Sequence, residues 1–422
     1  MTPLFSLAYR SLLNRKLTTL VTVLSLGLSV ALWIGIEHLR AGARESFSNT
    51  ISQTDLIVGA RGSPIQLLLY TVFHIGTPTA NVTYPSYEKI KGNRAVLWTI
   101  PISLGDSHRG FRVVGTNEDF YRHYRYRQNQ SLEFAQGRMP TGIFDVALGS
   151  EVAAALHYTL GSRIVVTHGI ANSRGIMDHD DKPFAVVGIL KPTRTPIDRS
   201  LYVTLEGIEA IHIDWKEGAP PIKGEETPAE KIRKEDIKIG QITAFFLRTK
   251  SRVQTLGLQR EITNFSEEPL TAVIPGVALS ELWNGISYGE QVLQVVAIFV
   301  VIVGLLGMLM ALYTAVNERR REIAILRALG LGPLKVILLL VFESGLLTFA
   351  GTVLGVGLVY AAVLLLQPIV EQQFGLHIPL GPLTGTQMTY LACVVLGGVG
   401  VGLIPASRAY RNALVDGLSI RV

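Results

Sequence analysis

Tyr313–Gly332 reads YTAVNERRREIAILRALGLG, and its reading decides the fold. It begins where an apolar run of membrane-span length, Val292–Tyr313, ends, and a new apolar run follows from Val336. Between the two runs, Arg319, Arg320, Arg321 and Arg327 stand against Glu318 and Glu322. Ile323, Leu326 and Leu329 recur at spacings of three, and Ile325 and Leu329 at four, which is the apolar stripe of an amphipathic helix. Gly330, Gly332 and Pro333 supply its stop. By charge and period alone this is a basic loop helix on lipid headgroups, on the cytoplasmic side by the positive-inside rule.

Two further apolar runs, with the run from Val336, extend this topology. Leu17–Ile36 is uncharged and about one bilayer thick. Before it, Leu4, Phe5, Leu7, Tyr9, Leu12 and Leu13 form an apolar side beside Arg10, Arg15 and Lys16, the pattern of a short elbow helix in the interface. A cleaved signal peptide competes for this region. The run is long for such a peptide's apolar core and no A-x-A-like site ends it, so an uncleaved anchor with its N-terminus inside is expected. Val336–Pro368 is longer than one crossing needs and must tilt, bend or project, and Gly345, Gly351, Gly355 and Gly357 in it suit close helix packing. Met388–Ile404 is the fourth run. Glu371–Thr386 lacks lysine and arginine, as an outside loop should, and Arg408, Arg411 and Arg421 return the C-terminal end to the inside. Glu343 lies in the third run near its inner end. It is either an intramembrane functional carboxylate or a group snorkelling at the membrane edge, and sequence leaves both open.

From about Arg40 to Gly289 no span-length run occurs, leaving roughly 250 residues outside the membrane, enough for real cores. Asp55–Ala60, Phe111–Gly115, Ser162–Thr167, Phe184–Leu190 and Ile242–Arg248 read as strands, Ile143–Leu156 as a strand entering a helix, and Val253–Phe265 as a helix. Lys216–Lys238, charged and Pro-rich, reads as a solvated loop. Leu67–Thr79 is apolar but too short to span, and core is the favoured reading over a lipid- or partner-facing surface.

The 422 residues are 48% hydrophobic, with a net charge of +6. Much of that charge flanks the apolar runs, and no nucleic-acid motif accompanies it, so no nucleic-acid partner is expected. Cys393, the single cysteine, sits in an apolar run and cannot form an intrachain disulfide. No GxxxxGK[ST], GxSxG, HExxH or CxxC occurs, so no catalytic or cofactor-binding residues are expected. His168–Asp181 (HGIANSRGIMDHDD) carries two histidines and three aspartates, but the spacing matches no ligand template; a solvated loop is expected rather than a metal site. Arg122–Arg127 (RHYRYR) reads as a surface for an anionic or protein partner.

Beyond its period, Arg321–Gly330 (REIAILRALG) resembles the coupling segment of the MacB/FtsX/lipoprotein-release family of ABC transporter permeases, the LolC/LolE-like members included. Phe5–Leu32, Phe342–Leu358 and Pro405–Leu418 (PASRAYRNALVDGL) are similar to the same family's opening, third span and tail. Val113–Tyr121 (VVGTNEDFY), Gln136–Pro140, Ala147–Val166 and Lys182–Leu205 follow the order of its periplasmic domain. The resemblance covers nearly the whole chain and implies four transmembrane helices plus a large extracytoplasmic α+β domain inserted between the first and second. The divisions are then residues 1–39, a periplasmic MacB-like domain of two subdomains over 40–289, and 290–422 with a coupling helix at 316–331.

The resemblance further implies the permease subunit of an ABC system in the bacterial inner membrane, without enzymatic activity of its own. A separate cytoplasmic ATPase dimer would bind ATP and magnesium, and a second permease chain, identical or paralogous, would complete the membrane part; a periplasmic adaptor or lipoprotein is a further expected partner. Ile323, Leu326 and Leu329 would seat in an ATPase groove, Glu322 and Arg327 would set the register, and Glu318, Arg319 and Gly330 complete the docking set. Unlike the macrolide exporter the chain shows no fused ATPase, and unlike the cell-division member its outer domain is large. Lipoprotein, small hydrophobic toxin, peptide and metal-linked cargo all remain compatible. The alternative is a transmitter that switches an outer enzyme or sensor without transport.

Overall fold

The computed structural model describes the chain apart from residues 1, 49, 128, 170–178, 216–226, 320–324, 326–331, 375–377, 379 and 416–422. It divides into two compact units. One holds Met1–Ala43, Ile286–Ile369 and the residues from Ile378 onward; the other is Arg44–Gly285 with a short stretch beginning at Val370.

The first unit is helical. A helix at Thr2–Asn14 precedes four long ones, Lys16–Ser48, Pro275–Glu318, Pro333–Phe374 and Gly385–Val415. All four are long and apolar enough to cross a membrane. Each outruns its apolar core, because polar helix formers continue the hydrogen-bond ladder at both ends. The second is extreme: 44 residues rise about 66 Å, roughly twice a bilayer's apolar thickness. Apolar side chains on the outer faces stay exposed, Leu17 at 76%, Phe299 at 62% and Leu365 at 75%, as a lipid solvent requires.

Inside the bundle, Val30, Ile34, Val301, Val359, Leu391 and Val394 form one core cluster, and Leu26, Met308, Leu312 and Leu347 another. Close approach is set by small residues. A Cβ on Gly355 would lie 2.6 Å from the Gly27 carbonyl oxygen, and one on Gly398 would lie 2.0 Å from Thr348 Cγ2. Of the four glycines expected to pack, Gly351 and Gly355 do so against the first long helix. Gly357 faces open space, and Gly345 has only ordinary van der Waals room.

The second unit is built on an 11-stranded mixed sheet, among the described residues. Its main path runs Leu270–Val273, Leu56–Ala60, Ala244–Thr249, Val96–His108, Phe111–Thr116, Ser200–Thr204, Asp145–Leu148, Phe184–Leu190 and Phe134–Gly137. The spine is the 13-residue strand Val96–His108. Its first half pairs with Ala244–Thr249 and its second half with Phe111–Thr116, so one strand serves both halves of the sheet. Helices Tyr84–Lys91 and Arg252–Thr263 supply Tyr87, Ile90, Leu258 and Ile262 to the core of the first half; Ser150–Leu156 and Leu205–Ile211 supply Val152 and Ile211 to that of the second.

The Leu67–Thr79 patch opens as helix Pro64–Val72, and Leu67, Leu68, Tyr70 and Val72 are buried core residues, while Ile75 is exposed. At Arg122–Arg127, where a partner surface is expected, the aromatic side chains turn inward while Arg122 stays exposed. Tyr124 and Tyr126 point into the core, the Tyr124 hydroxyl donates to the Thr50 carbonyl at 2.8 Å, and His123 stacks on Trp98. The aromatics there are structural, and the arginines merely border them. Lys216–Lys238 is described from Thr227 on, where two short 3-10 turns carry no buried residue.

Candidate functional site

The second long helix delivers Glu318 and Arg319 to one end of the bundle. Glu322, Ile323, Leu326, Arg327, Leu329 and Gly330 lie outside the described residues; of their neighbours, Ile325 is exposed. What the structure adds is how the start of this stretch is held. Arg319 Nη1 donates to Glu343 Oε1 at 2.9 Å and also to the Ser11 hydroxyl oxygen. Glu343 is only 2% exposed. A snorkelling carboxylate keeps its head group in solvent, and this one does not.

A second tie sits beside the first. Arg15 occupies the turn between the elbow helix and the first long helix. Its Nη2 lies 2.8 Å from Glu318 Oε2 and donates to the Ala315 carbonyl at 3.3 Å. Thr19 Oγ1 donates back to the Leu12 carbonyl, fixing the turn itself. Ser11, Thr18, Thr22, Leu312 and Leu347 line a small cavity with Glu343. Three helical elements are thus joined electrostatically where the Glu318–Gly330 stretch departs. In this cluster the carboxylate and the Ser11 hydroxyl are both engaged by the Arg319 guanidinium, an arrangement that fixes a position. Sequence reading missed Ser11 and Arg15, and no local signal could have found them, since Arg15 and its acceptor are 300 positions apart.

The α/β unit holds a different cluster. Asp106 lies in the spine strand, directly opposite His168 in a cross-strand pair. His212 caps helix Leu205–Ile211, and the His179 amide donates to the Val166 carbonyl at 2.9 Å. His168 Nδ1 stands 3.1 Å from Asp106 Oδ1 and 3.0 Å from His212 Nε2. The solvated loop expected at His168–Asp181 is therefore corrected at its described ends: His179 is 4% exposed, and both histidines converge on a carboxylate. Burial, then the nearby His212, pushes the His179 pKa down to about 4; the hydrogen bond to Asp106 raises that of His168.

Comparison with known proteins bears on both units. Residues 19–265 match the family model of the MacB-like periplasmic core domain, and residues 294–414 that of the FtsX-like permease C-terminal region. The chain is similar to the lipoprotein-releasing system transmembrane protein LolC of Neisseria meningitidis, with 23% identity over 372 residues, covering 78% of this chain and 80% of that protein. It is also 32% identical over 127 residues to the macrolide export ATP-binding/permease protein MacB of Photorhabdus laumondii, 30% of this chain but 19% of that longer protein. Among solved structures, the periplasmic region of MacB from Actinobacillus actinomycetemcomitans matches with a TM-score of 0.34 and 12% identity, covering 57% of this chain and 97% of that one.

Proposed function

Starting from a chain that belongs to the MacB/FtsX family of ABC-transporter permeases, we propose that it is the inner-membrane subunit through which a separate ATPase moves a periplasmic domain. The observation that carries the reading is one uninterrupted helix, Pro275–Glu318. Its first residues, through Gly285, belong to the α/β unit, and from Ile286 it belongs to the bundle. It ends at Glu318, where the basic amphipathic stretch begins. On this reading the helix is the element along which displacement would pass from one of its ends to the other. ATPase closure would move the stretch, the helix would carry that movement outward, and substrate would be handled on the periplasmic side rather than drawn through a central pore.

On this reading ATP and magnesium sit on the partner ATPase dimer, and the permease chain contributes no catalytic group. Two permease chains face the two ATPase subunits. The test is a mild-detergent pull-down on a C-terminal tag with an ATPase assay, repeated with Gly-Pro-Gly inserted after Gly304. The parent chain should bring down a phosphate-loop ATPase in equal amount. The insertion should keep that ATPase bound but abolish the cellular phenotype that the intact gene supports. No ATPase even after crosslinking in membranes would sink the reading; full function with the broken helix would sink the mechanical part of it. A deletion strain that accumulates no cargo but loses an activated outer hydrolase would convert transport into signalling.

A further inference from the structure

We propose that Asp106, His168, His179 and His212 form a binding site for a divalent cation of the zinc class on the α/β unit. The proposal is independent of the transport reading. One ligand-capable atom from each of the four residues lies within 4.8 Å of the other three. Zinc bonds nitrogen at about 2.0–2.1 Å, so a tetrahedral site needs donor atoms about 3.4 Å apart. His168 Nδ1 is 3.0 Å from His212 Nε2 and 3.1 Å from Asp106 Oδ1, and His212 Nε2 is 3.8 Å from that same oxygen. The separations bracket the required value before any ion has adjusted them.

Three imidazoles and one carboxylate make a borderline donor set, suited to zinc rather than to magnesium or calcium, which take oxygen ligands. The donors are also oriented. His212 Nδ1 donates to the Ile208 carbonyl at 2.9 Å, since a carbonyl can only accept, and this leaves Nε2 with its lone pair toward His168. A second, independent observation points to a ligand. Among the described residues, His179 Nε2 has no hydrogen-bond partner, although it is fully buried and the residue is 96% shielded. An unpartnered buried nitrogen beside two other imidazoles and an aspartate is costly unless something coordinates it.

The surroundings hold the donors in place. His168 is fixed by its register opposite Asp106, and His212 by the helix that it caps. Lys182, 1% exposed, bridges the His179 and His212 segments through Asp181 and, at 3.0 Å, Asp214. Asp214 in turn accepts from the Thr227 amide and hydroxyl. Trp215 packs against all three imidazoles, with ring centroids 4.8 Å from His168, 5.5 Å from His179 and 5.1 Å from His212. It closes one side and provides a reporter.

The experiment uses the full chain in detergent with its purification tag removed, because a polyhistidine tag would itself bind zinc. Zinc is titrated after chelator treatment, reading bound metal per chain and tryptophan emission; cobalt is used as a coloured substitute. One zinc per chain, a change in Trp215 emission and the visible absorption of tetrahedral cobalt are expected. His168→Ala, a half-exposed position that should fold, is expected to weaken binding by about tenfold or more, and Asp106→Asn similarly. His157→Ala, an exposed histidine elsewhere, should change nothing. No zinc above background, or binding that survives both ligand variants unchanged, would overturn the site. Trp215→Phe should abolish the emission change while leaving the stoichiometry intact; if it does not, the bound ion lies elsewhere.

Discussion

Replacing Glu343 with alanine removes the buried carboxylate 2.9 Å from the Arg319 guanidinium. The side chains are 3% and 13% exposed, so water offers little compensation to the charge left behind. Deleting one partner of a buried pair costs on the order of 3–5 kcal/mol, whereas an exposed pair contributes at most about 1. The hydroxyl of Ser11 also accepts from Arg319 and the guanidinium keeps some solvent, so the low end applies, about 3 kcal/mol. That is roughly a 150-fold shift in the unfolding equilibrium. Glu343→Gln keeps an acceptor and loses only the charge, which should cost about half as much. The double change Arg319→Met with Glu343→Leu removes both charges and refills the volume. Such replacements are commonly neutral or stabilising, so the double variant should be more stable than Glu343→Ala alone.

The assay is a double-mutant cycle in which the full chain is unfolded with sodium dodecyl sulfate from a mild detergent. It reads the unfolding midpoint and the recovery of the proposed partner ATPase. The pair anchors the start of the stretch that we propose docks on the ATPase. The stabilised double variant should therefore separate the two readouts, remaining folded yet coupling poorly. A cost for Glu343→Ala no greater than that of an exposed pair would refute the buried-pair reasoning. A double variant as unstable as Glu343→Ala would refute it as well, because the damage would then come from lost packing.

Leu326→Asp should abolish ATPase recovery while leaving the outer unit folded; normal yield of the complex would remove the docking assignment of Ile323, Leu326 and Leu329. Gly398→Val places new carbon atoms where Thr348 already sits, and it should cost about 1–3 kcal/mol in the same detergent assay, against little effect for Gly357→Val, which meets open space. His74 predicts an acid limit for the outer unit. Burial first, then the nearby Arg112, lowers its pKa from 6.5 to about 4. The unfolded chain therefore binds a proton that the folded chain refuses. Stability is fully present above about pH 6.5 and is lost as pH falls toward 4, and His74→Asn should flatten that part of the melting-temperature profile. Reporter fusions at Lys223 and Val422 should fall on opposite sides of the membrane, and the same side for both would overturn the four-span topology.

The two units were legible to different depths, for a physical reason. A membrane span declares itself locally, because an apolar solvent demands about twenty consecutive apolar residues wherever the chain crosses. All four runs were readable, and only their ends moved, since helix propagation beyond the apolar core needs nothing more than propensity. Strands such as Phe111–Thr116 and Phe184–Leu190 were also local, being short β-branched and aromatic runs bounded by turn residues. What sequence could not supply was convergence. Arg127 and its neighbours read as surface because charge alternates with aromatic rings, and only tertiary packing turns Tyr124 and Tyr126 inward. His168 looked like part of a polar loop because its partners Asp106 and His212 are 62 and 44 positions away. The same holds for Glu343: its composition allowed two roles, and only the arrival of Arg319 from another helix decides that the carboxylate is buried and paired. In this chain the local pattern sets where the elements run, while the chemistry resides at crossings between them. The charged stretch at Glu318–Gly330 is therefore best understood from the helices that meet at its start.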